Sequence, residues 1–328
     1  MKKVLLVRLS ALGDIINSSI VLQFIKQHYP DTQIEWVCEE VFAPLLQNHP
    51  LVSQVHTINL KQLKKEKKLS LLKANISKLQ SLGEFEKIVD MQGLLKSAIV
   101  ARIVGKNTHG FDKNSIRESV ASFFYKTTTH IGYEQNIVKR NTKVVADALD
   151  FSVDDTMILN KQPIFQTTPY PFTQTKNIAL VIGASWESKK YPKELFAQIC
   201  GFMPEYNFHI IWGSQEEKKE AEFIAKEASN ASLAPKLSLT QLVDFISSCD
   251  LTIGNDTGPT HLAWAQNRAS ITLFGPTNER MIYQTPKNIA INSPSSVDIF
   301  HINKNDFSIK EIQPQTVANK AKELLDGI

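Results

Sequence analysis

The chain has 328 residues, of which 42% are hydrophobic and 21% are charged, and its formal net charge is +4. This composition is typical of a globular protein of roughly two domains, and no apolar run approaches the ~18–20 residues of a membrane span. The mild charge does not indicate a nucleic-acid partner, and the three scattered cysteines predict neither a metal site nor disulfides but a reducing cytoplasm.

Short apolar runs alternate with amphipathic stretches through the first half of the chain. The apolar runs predict strands near residues 3–8, 34–39, 55–60, 87–92 and 108–111. The stretches between them predict helices near 15–28, 68–82, 94–104, 115–125 and 135–149. This alternation is typical of βαβ units and therefore predicts an α/β fold with a parallel sheet.

The pattern breaks over residues 160–177, where three prolines and many polar residues indicate a linker. Strands are then predicted near 177–183, 208–213, 251–256 and 270–276, and helices near 192–203, 215–229, 239–248 and 259–267. The final segment reads as an amphipathic helix with Pro314 near its start. We therefore expect an N-terminal domain over 1–165, a C-terminal domain over 176–312, and a C-terminal helix over 313–328.

Polar residues stand at the predicted strand ends of the first half. In "RLSALGDIIN", residues 8–17, Asp14 falls where a helix starts, so it is either a helix cap or a chemical group. In "DMQGLLKSA", residues 90–98, Gln92 and Lys96 follow a strand in the same way. Arg117 lies in a mostly apolar predicted helix, where it either extends to solvent or pairs with an anion. Because ligands bind beyond the carboxyl ends of parallel strands, we expect the site in a cleft between the two halves.

The segment "IGNDTGPTHLA", residues 253–263, is the most specific local signal of the second half. A strand ends at Gly254, a turn follows, and Pro259 suits the first turn of a helix. Backbone N–H groups at such a helix start bind phosphate, and Thr257 and His261 add donors. The alternative is a capped helix with His261 packed locally.

Two further strand ends predict contacts to a nucleotide. In "VIGASWESKKYP", Ser185 offers a hydroxyl and Lys189 and Lys190 offer point charges to a diphosphate, unless this is an ordinary polar loop. Glu216 or Glu217 offers a carboxylate to ribose hydroxyls, unless these acidic residues only complement the helix dipole. The chain lacks the glycine patterns of P-loop and dinucleotide enzymes, which disfavours an ATPase and a dehydrogenase.

Five lysines lie within eight residues in the first half: Lys61, Lys64, Lys65, Lys67 and Lys68. They form either a solvated helix face or a patch for an anionic partner, such as a phosphorylated or carboxylated substrate or an acidic membrane surface.

Taken together, the strand followed by "GD", "DTGPTHLA", "DMQGLLKSA" and "IRESVASFFY" resemble glycosyltransferase family 9, the heptosyltransferases of lipopolysaccharide core synthesis. The resemblance covers essentially the whole chain in the expected order. "DMQGLLKSA" and "IRESVASFFY" look most like the members that add the first heptose to the Kdo region of lipid A. The resemblance implies the GT-B fold, with two Rossmann-like domains facing across a central cleft and the C-terminal helix packing back on the first domain.

The resemblance also implies inverting transfer of L-glycero-D-manno-heptose from ADP-heptose to a Kdo residue of Kdo-lipid A. By motif, Asp14 matches the catalytic aspartate and Glu217 the ribose-binding glutamate. The diphosphate and heptose loops correspond to Ser185, Lys189, Asp256, Thr257, Gly258 and His261. The acceptor is expected at Lys61, Lys64, Lys65, Gln92, Lys96 and Arg117.

No cofactor is expected, and no protein-bound metal either, because no group of residues looks like a dedicated metal site. A carboxylate base opposite cationic and N–H donors meets the needs of one displacement. The expected enzyme is a monomer on the cytoplasmic face of the inner membrane, held at its anionic surface. The alternatives are transfer of the second heptose, another nucleotide-sugar transferase of this fold, and a non-catalytic sugar-nucleotide binding protein.

Overall fold

The computed structural model describes residues 2–66, 68–173 and 175–327, with Lys61 and Lys64 described only in their backbone. The chain divides into two compact units, Met1–Ile164 and Phe165–Ile328. The boundary falls inside the predicted linker, where prolines and polar residues interrupt the regular elements.

The first unit is built on a six-stranded parallel sheet in the order β3-β2-β1-β4-β5-β6. Its strands are β1 Lys3–Val7, β2 Gln33–Glu39, β3 Gln54–Ile58, β4 Lys87–Asp90, β5 Thr108–Phe111 and β6 Thr127–Thr129. Its helices are α1 Leu12–Ser18, α2 Val21–His28, α3 Ala43–Gln47, α4 Leu60–Glu66, α5 Leu69–Gln80, α6 Leu95–Val104, α7 Ile137–Leu149 and α8 Asp155–Leu159. Strand β1 lies at the centre, and its apolar residues Val4–Val7 are fully buried.

The second unit contains a second six-stranded parallel sheet, in the order β12-β11-β10-β7-β8-β9. Its strands are β7 Asn177–Val181, β8 Asn207–Ile211, β9 Ala231–Leu233, β10 Leu251–Asn255, β11 Ala269–Phe274 and β12 Asn288–Asn292. Its helices are α9 Lys193–Gly201, α10 Gln215–Glu227, α11 Leu239–Ser248, α12 Gly258–Ala265 and α13 Pro314–Asp326. The α/β class and the parallel sheets predicted from the sequence are confirmed.

The C-terminal helix α13 packs its apolar face in the core of the second unit. Val317, Ala318 and Ala321 are fully buried there, and the helix contacts α9 and β11. Packing of residues 313–328 on the N-terminal domain stays a prediction, and it would require the opposite, polar face of the helix. Ile328 lies outside the described residues.

Two predicted helices are wrong in form. The stretch 15–28 is divided into α1 and α2 at Ser19 and Ile20, because the N–H groups of Leu22 and Gln23 donate to carbonyls three residues back rather than four. The stretch 115–125 is an irregular turn followed by a 3-10 helix over Ser119–Phe124, so Arg117 does not lie in a helix.

The sequence also missed short elements. Strands β6, β9 and β12 have the sequences TTT, ASL and NIAIN, whose polar residues leave no clear apolar run. In the part of the chain that the structure describes, no helix combines the length and the apolar content needed to cross a bilayer.

Gly254 lies in the central strand β10, where the backbone of the neighbouring β7 approaches closely. A Cβ at this position would stand 2.5 Å from the carbonyl oxygen of Val181. Only glycine therefore fits where β10 leads into the loop that carries Asp256.

We predict that Gly254→Ala lowers the free energy of unfolding by about 1–3 kcal/mol, because the added methyl group overpacks a rigid sheet. Urea denaturation of the full chain measures the change.

Gly201→Ala serves as the matched control, because a Cβ at the end of α9 meets nothing within 4 Å. This control should be neutral or stabilising, by up to ~1 kcal/mol. Equal stability losses in the two variants would contradict the close approach at Gly254.

Candidate active site

The second unit brings three strand-end loops together around one carboxylate. Lys189 follows β7, Asp256 follows β10 and Thr277 follows β11, and these three strands are neighbours in the sheet. Because parallel strands end at the same edge, residues far apart in sequence meet there.

Asp256 is the centre of this cluster. Its Oδ2 atom accepts from the Lys189 ammonium at 2.6 Å and from the Thr277 hydroxyl at 2.9 Å. Its Oδ1 atom lies 3.2 Å from His261 Nε2. All four side chains are buried, so the carboxylate joins loops from three strands in a largely dry environment.

The electrostatics of the cluster favour the ionised carboxylate. Burial raises the pKa of Asp256, but the charge of Lys189 and the hydrogen bond and charge of His261 outweigh it and hold the pKa well below its usual range. The net result is a paired buried charge rather than a neutral acid.

Asn255 fixes the two loops around the cluster. Its side-chain amide donates to Ile182 O at 2.7 Å and accepts from Tyr191 N at 3.0 Å. Its own carbonyl accepts from the Thr260 hydroxyl at 2.8 Å. A single buried amide therefore ties the Lys189 loop to the start of α12.

The start of α12 has the geometry that the sequence predicts. Thr257 is the N-cap, and its carbonyl accepts from the backbone N–H groups of Thr260 and His261. Pro259 has no N–H to donate. The N–H of Gly258, the first residue of α12, has no hydrogen-bond acceptor among the described residues 2–66, 68–173 and 175–327. His261 also packs locally against Asp256. A helix start that binds phosphate and a locally packed His261 are therefore compatible interpretations of this motif.

Ser185 is exposed and stands apart from the buried cluster. The loop instead buries Ser188 and Lys189 in a 3-10 turn over Glu187–Lys189. Trp186 covers this turn, with its ring 5.6 Å from the Lys189 ammonium and 4.8 Å from the Lys304 ammonium.

Glu217 closes the first turn of α10 as a capping box. Its Oε2 atom accepts from the backbone N–H groups of Gly213 at 2.5 Å and Ser214 at 3.1 Å, and Ser214 Oγ accepts from Glu217 N. The other oxygen faces Gly183, where a Cβ would be 2.4 Å away. Glu217 therefore stabilises the start of α10, as one of the two interpretations states, and its Oε1 atom remains for a ligand.

In the first unit, Asp14 lies in the first turn of α1, just after β1. Its Oδ1 atom pairs with Arg8 Nη2 at 2.7 Å, and its Oδ2 atom accepts from Ala11 N at 3.1 Å. Asp14 therefore caps the helix, as one of the two interpretations states. It is partly exposed, whereas Arg8 is buried and also donates to Met91 O.

The loop after β4 lies beside this carboxylate, because β4 neighbours β1. Gln92 Oε1 accepts from Leu9 N at 2.9 Å, and Lys96 Nζ donates to Ser10 Oγ at 3.1 Å. Beneath them, the fully buried Asp90 accepts from the backbone N–H of Gln92 at 2.8 Å. Burial raises the pKa of Asp90 above its usual range, in spite of these hydrogen bonds.

The remaining acceptor candidates do not gather around Asp14 within the first unit. Arg117 lies after β5, exposed, with its guanidinium 5.9 Å from the Tyr133 ring. The residues Lys61, Lys64 and Lys65 lie in α4, after β3, two strands away from β1. The side chains of Lys61 and Lys64, and all of Lys67, lie outside the described residues, and Lys65 is exposed.

Sequence reasoning missed Arg8 and Thr277 as members of these clusters. Arg8 ends an apolar strand immediately before the Asp14 loop, and a charge in that position is a usable signal. Thr277 stands in "LFGPTNE", a strand-end turn whose hydroxyl only the folded sheet brings to Asp256. Within the described residues, no three His, Cys, Asp or Glu side chains form a group suited to hold a metal ion.

We predict that Asp256→Asn lowers the free energy of unfolding at pH 7 by about 3–5 kcal/mol, because it leaves Lys189 as a buried unpaired charge. The pKa of Asp256 is lower in the folded state than in the unfolded chain. The carboxylate therefore stabilises the fold fully at pH values above the pKa of an unfolded Asp, near 4, and this stabilisation is lost as the pH falls further. The difference in free energy of unfolding between wild type and Asp256→Asn should therefore become smaller below about pH 4, which urea denaturation at several pH values measures.

Glu323→Gln provides the matched control in the same unit. Its ion pair with Lys320 has the same 2.6 Å length, but both side chains are exposed. Its loss should cost less than about 1 kcal/mol. Equal costs for the two substitutions would refute the importance of burial at Asp256.

Comparison with known proteins places the chain among glycosyltransferases. The sequence model described as glycosyltransferase family 9 (heptosyltransferase) matches residues 76–299. A Campylobacter coli protein named lipopolysaccharide heptosyltransferase 1 is 37% identical and aligns over 98% of both chains. The Pseudomonas aeruginosa protein of the same name is 31% identical over 84% of this chain and 79% of its own.

Solved structures agree in fold. Escherichia coli heptosyltransferase WaaC with ADP-2-deoxy-2-fluoro heptose matches with a TM-score of 0.81 at 23% identity, covering 98% of this chain and 99% of that chain. Escherichia coli ADP-heptose lps heptosyltransferase II matches with a TM-score of 0.70 at 18% identity, covering 99% and 98%. The fold is therefore GT-B. The family model and the near full-length relatives show that this chain belongs to glycosyltransferase family 9, the heptosyltransferases.

Proposed function

We propose that this glycosyltransferase moves L-glycero-D-manno-heptose from ADP-heptose to a Kdo residue of Kdo-lipid A in lipopolysaccharide core synthesis. The observation that supports this most is the 37% identity to a lipopolysaccharide heptosyltransferase 1 along 98% of both chains. The similar structure solved with an ADP-heptose analogue supports the choice of donor.

The second unit is proposed to hold the donor. Lys189, the N–H of Gly258 and the hydroxyl of Thr257 are donors that suit a diphosphate, and α12 directs the positive end of its dipole to the same place. Glu217 has one carboxylate oxygen left for ribose hydroxyls. Ser185 is exposed on the same loop as Lys189, and its hydroxyl is proposed to contact a phosphate.

Asp256 and His261 are proposed to keep this donor site in order. Without a ligand, the Lys189 ammonium is paired with Asp256. A bound diphosphate adds negative charge and competes for the same ammonium, while His261 and Thr277 continue to hydrogen-bond the carboxylate. The lysine can therefore turn to the leaving group without leaving Asp256 unpaired.

The first unit is proposed to supply the base. The acceptor hydroxyl oxygen of Kdo forms a bond to the anomeric carbon of heptose, and the bond from that carbon to the diphosphate oxygen breaks with inversion. The hydroxyl proton goes to the Asp14 carboxylate, and ADP departs with its charge stabilised by Lys189 and Gly258 N–H. Each Asp14 oxygen keeps a lone pair beyond its contact with Arg8 or Ala11.

The acceptor is proposed to lie along the carboxyl edge of the first sheet. Gln92 and Lys96 adjoin the Asp14 loop, and Arg117 and the lysines of α4 extend the positive charge along that edge. Kdo carboxylates and lipid A phosphates are suitable partners for these cations. The proposed place of work is the cytoplasmic face of the inner membrane, and the proposed functional state is a monomer.

We predict that Asp14→Asn lowers kcat by about 10²–10⁴-fold, because the amide cannot take the proton. ADP affinity should stay unchanged, since the proposed donor residues all lie in the second unit. Steady-state transfer assays and calorimetric titration with ADP measure the two quantities.

Asp31→Asn, an exposed carboxylate of the same unit, is the control and should behave as wild type. If Asp14→Asn keeps the turnover of wild type, the assignment of Asp14 as the base is wrong. Competition by other nucleotide sugars as strong as that by ADP-heptose would remove the proposed donor.

A second prediction concerns the lysines of α4. Joint replacement of Lys61, Lys64 and Lys65 by Gln should raise the acceptor KM and weaken membrane association, each lysine near an anionic surface contributing about 1 kcal/mol. The donor KM should not change.

Lys218, Lys219 and Lys226 of α10 provide a control set in the other unit. If acceptor KM and membrane association both stay at wild-type values in the α4 variant, the proposed role of these lysines is wrong.

A further inference from the structure

Four large apolar side chains of the first unit are exposed on two adjacent elements, and we name them the apolar face. Val120 and Phe123 belong to the 3-10 helix Ser119–Phe124 and are 56% and 81% exposed. Leu95 and Ile99, one helical turn apart on α6, are 37% and 38% exposed. Scattered exposed apolar residues are common, but a group of this kind marks an interaction surface.

The two elements form one continuous surface. Helix α6 and the 3-10 helix contact each other directly. Leu95 N donates to Glu118 Oε2 at 2.7 Å, which holds the start of α6 against the residue preceding the 3-10 helix. Ala121 is fully buried on the opposite side of the 3-10 helix, which leaves Val120 and Phe123 outside.

The segment that carries the apolar face has a positive net charge. Residues 95–126 contain six basic residues and two acidic ones, so this segment has a net charge of +4, equal to that of the whole chain. The basic side chains are all exposed: Lys96, Arg102, Lys106, Lys113, Arg117 and Lys126. Glu118 is one of the two acids, and its carboxylate is occupied by the α6 backbone.

The apolar face also adjoins the loop that carries Asp14. Lys96 follows Leu95 in α6, and its ammonium reaches Ser10 Oγ at 3.1 Å. The neighbouring Ala11 N–H binds the Asp14 carboxylate at 3.1 Å. Whatever covers the apolar face is therefore brought next to the proposed base.

We propose that the apolar face rests on the surface of an anionic lipid bilayer, with Phe123 and Val120 entering its interfacial layer and the basic residues contacting lipid phosphates. Exposed apolar side chains in a segment of positive net charge match such a surface, which offers an apolar interior beneath negative charge. The inference rests on the proposed function in one respect: a lipid-linked acceptor explains why the contact lies beside Asp14. It adds an apolar contact that is separate from the lysines of α4.

The test is sedimentation of the full chain with vesicles of phosphatidylcholine alone and of phosphatidylcholine mixed with phosphatidylglycerol. The variant Val120→Ala/Phe123→Ala is compared with Leu159→Ala/Phe300→Ala, which shortens two other exposed apolar residues. We expect wild type and control to bind the anionic vesicles alike. The apolar-face variant should bind at least about tenfold more weakly, because a ring and two methyl groups no longer leave water.

Transfer to an acyl-free Kdo acceptor without vesicles should be equal in wild type and the apolar-face variant, which shows that the variant is folded. Failure of that transfer in wild type would overturn the proposed function, whereas the vesicle result stands separately. The membrane inference is overturned if wild type does not bind anionic vesicles or if the variant binds them as wild type does. It is also overturned if the variant abolishes self-association in sedimentation velocity, since the face would then join two copies of the chain.

Discussion

A single buried carboxylate joins the strand-end loops that form the proposed donor site in the second unit. Asp256 receives Lys189, His261 and Thr277 from segments that follow three neighbouring strands. Removing this charge would leave a buried ammonium without a partner, and the loops would lose their common attachment. The same interaction keeps a lysine in place that a diphosphate can engage, so packing and proposed chemistry share one ion pair.

In the first unit, too, a buried carboxylate fixes a strand-end loop, but with different residues. Asp90, fully buried, fixes the loop after β4 through the backbone of Gln92, and it also accepts from the hydroxyl of Tyr125, which follows the 3-10 helix. That loop accepts a hydrogen bond from Arg8 at the Met91 carbonyl, and Arg8 in turn holds Asp14. A buried acid thus supports, through an arginine, a partly exposed acid at the sheet edge.

The sequence was sufficient for the parallel sheets and for most strand-end loops, because β-branched runs and glycine turns are local signals. It was not sufficient for the division of 15–28, where the backbone hydrogen bonds become one residue shorter, or for the turn around Arg117. It placed Lys189 and Asp256 in separate loops, and only strand order shows that they pair. Partners such as Arg8 and Thr277 follow from three-dimensional packing, which a single sequence does not reveal.

The central claim is tested most directly by incubating the enzyme with ADP-heptose and Kdo-lipid A and measuring the mass of the lipid product. We expect a product heavier by one heptose residue, with the new linkage on Kdo and one ADP released per transfer. An unchanged acceptor in the presence of a folded enzyme that binds ADP would contradict it. Transfer to an acceptor that already carries a heptose, with none to Kdo-lipid A, would contradict it equally.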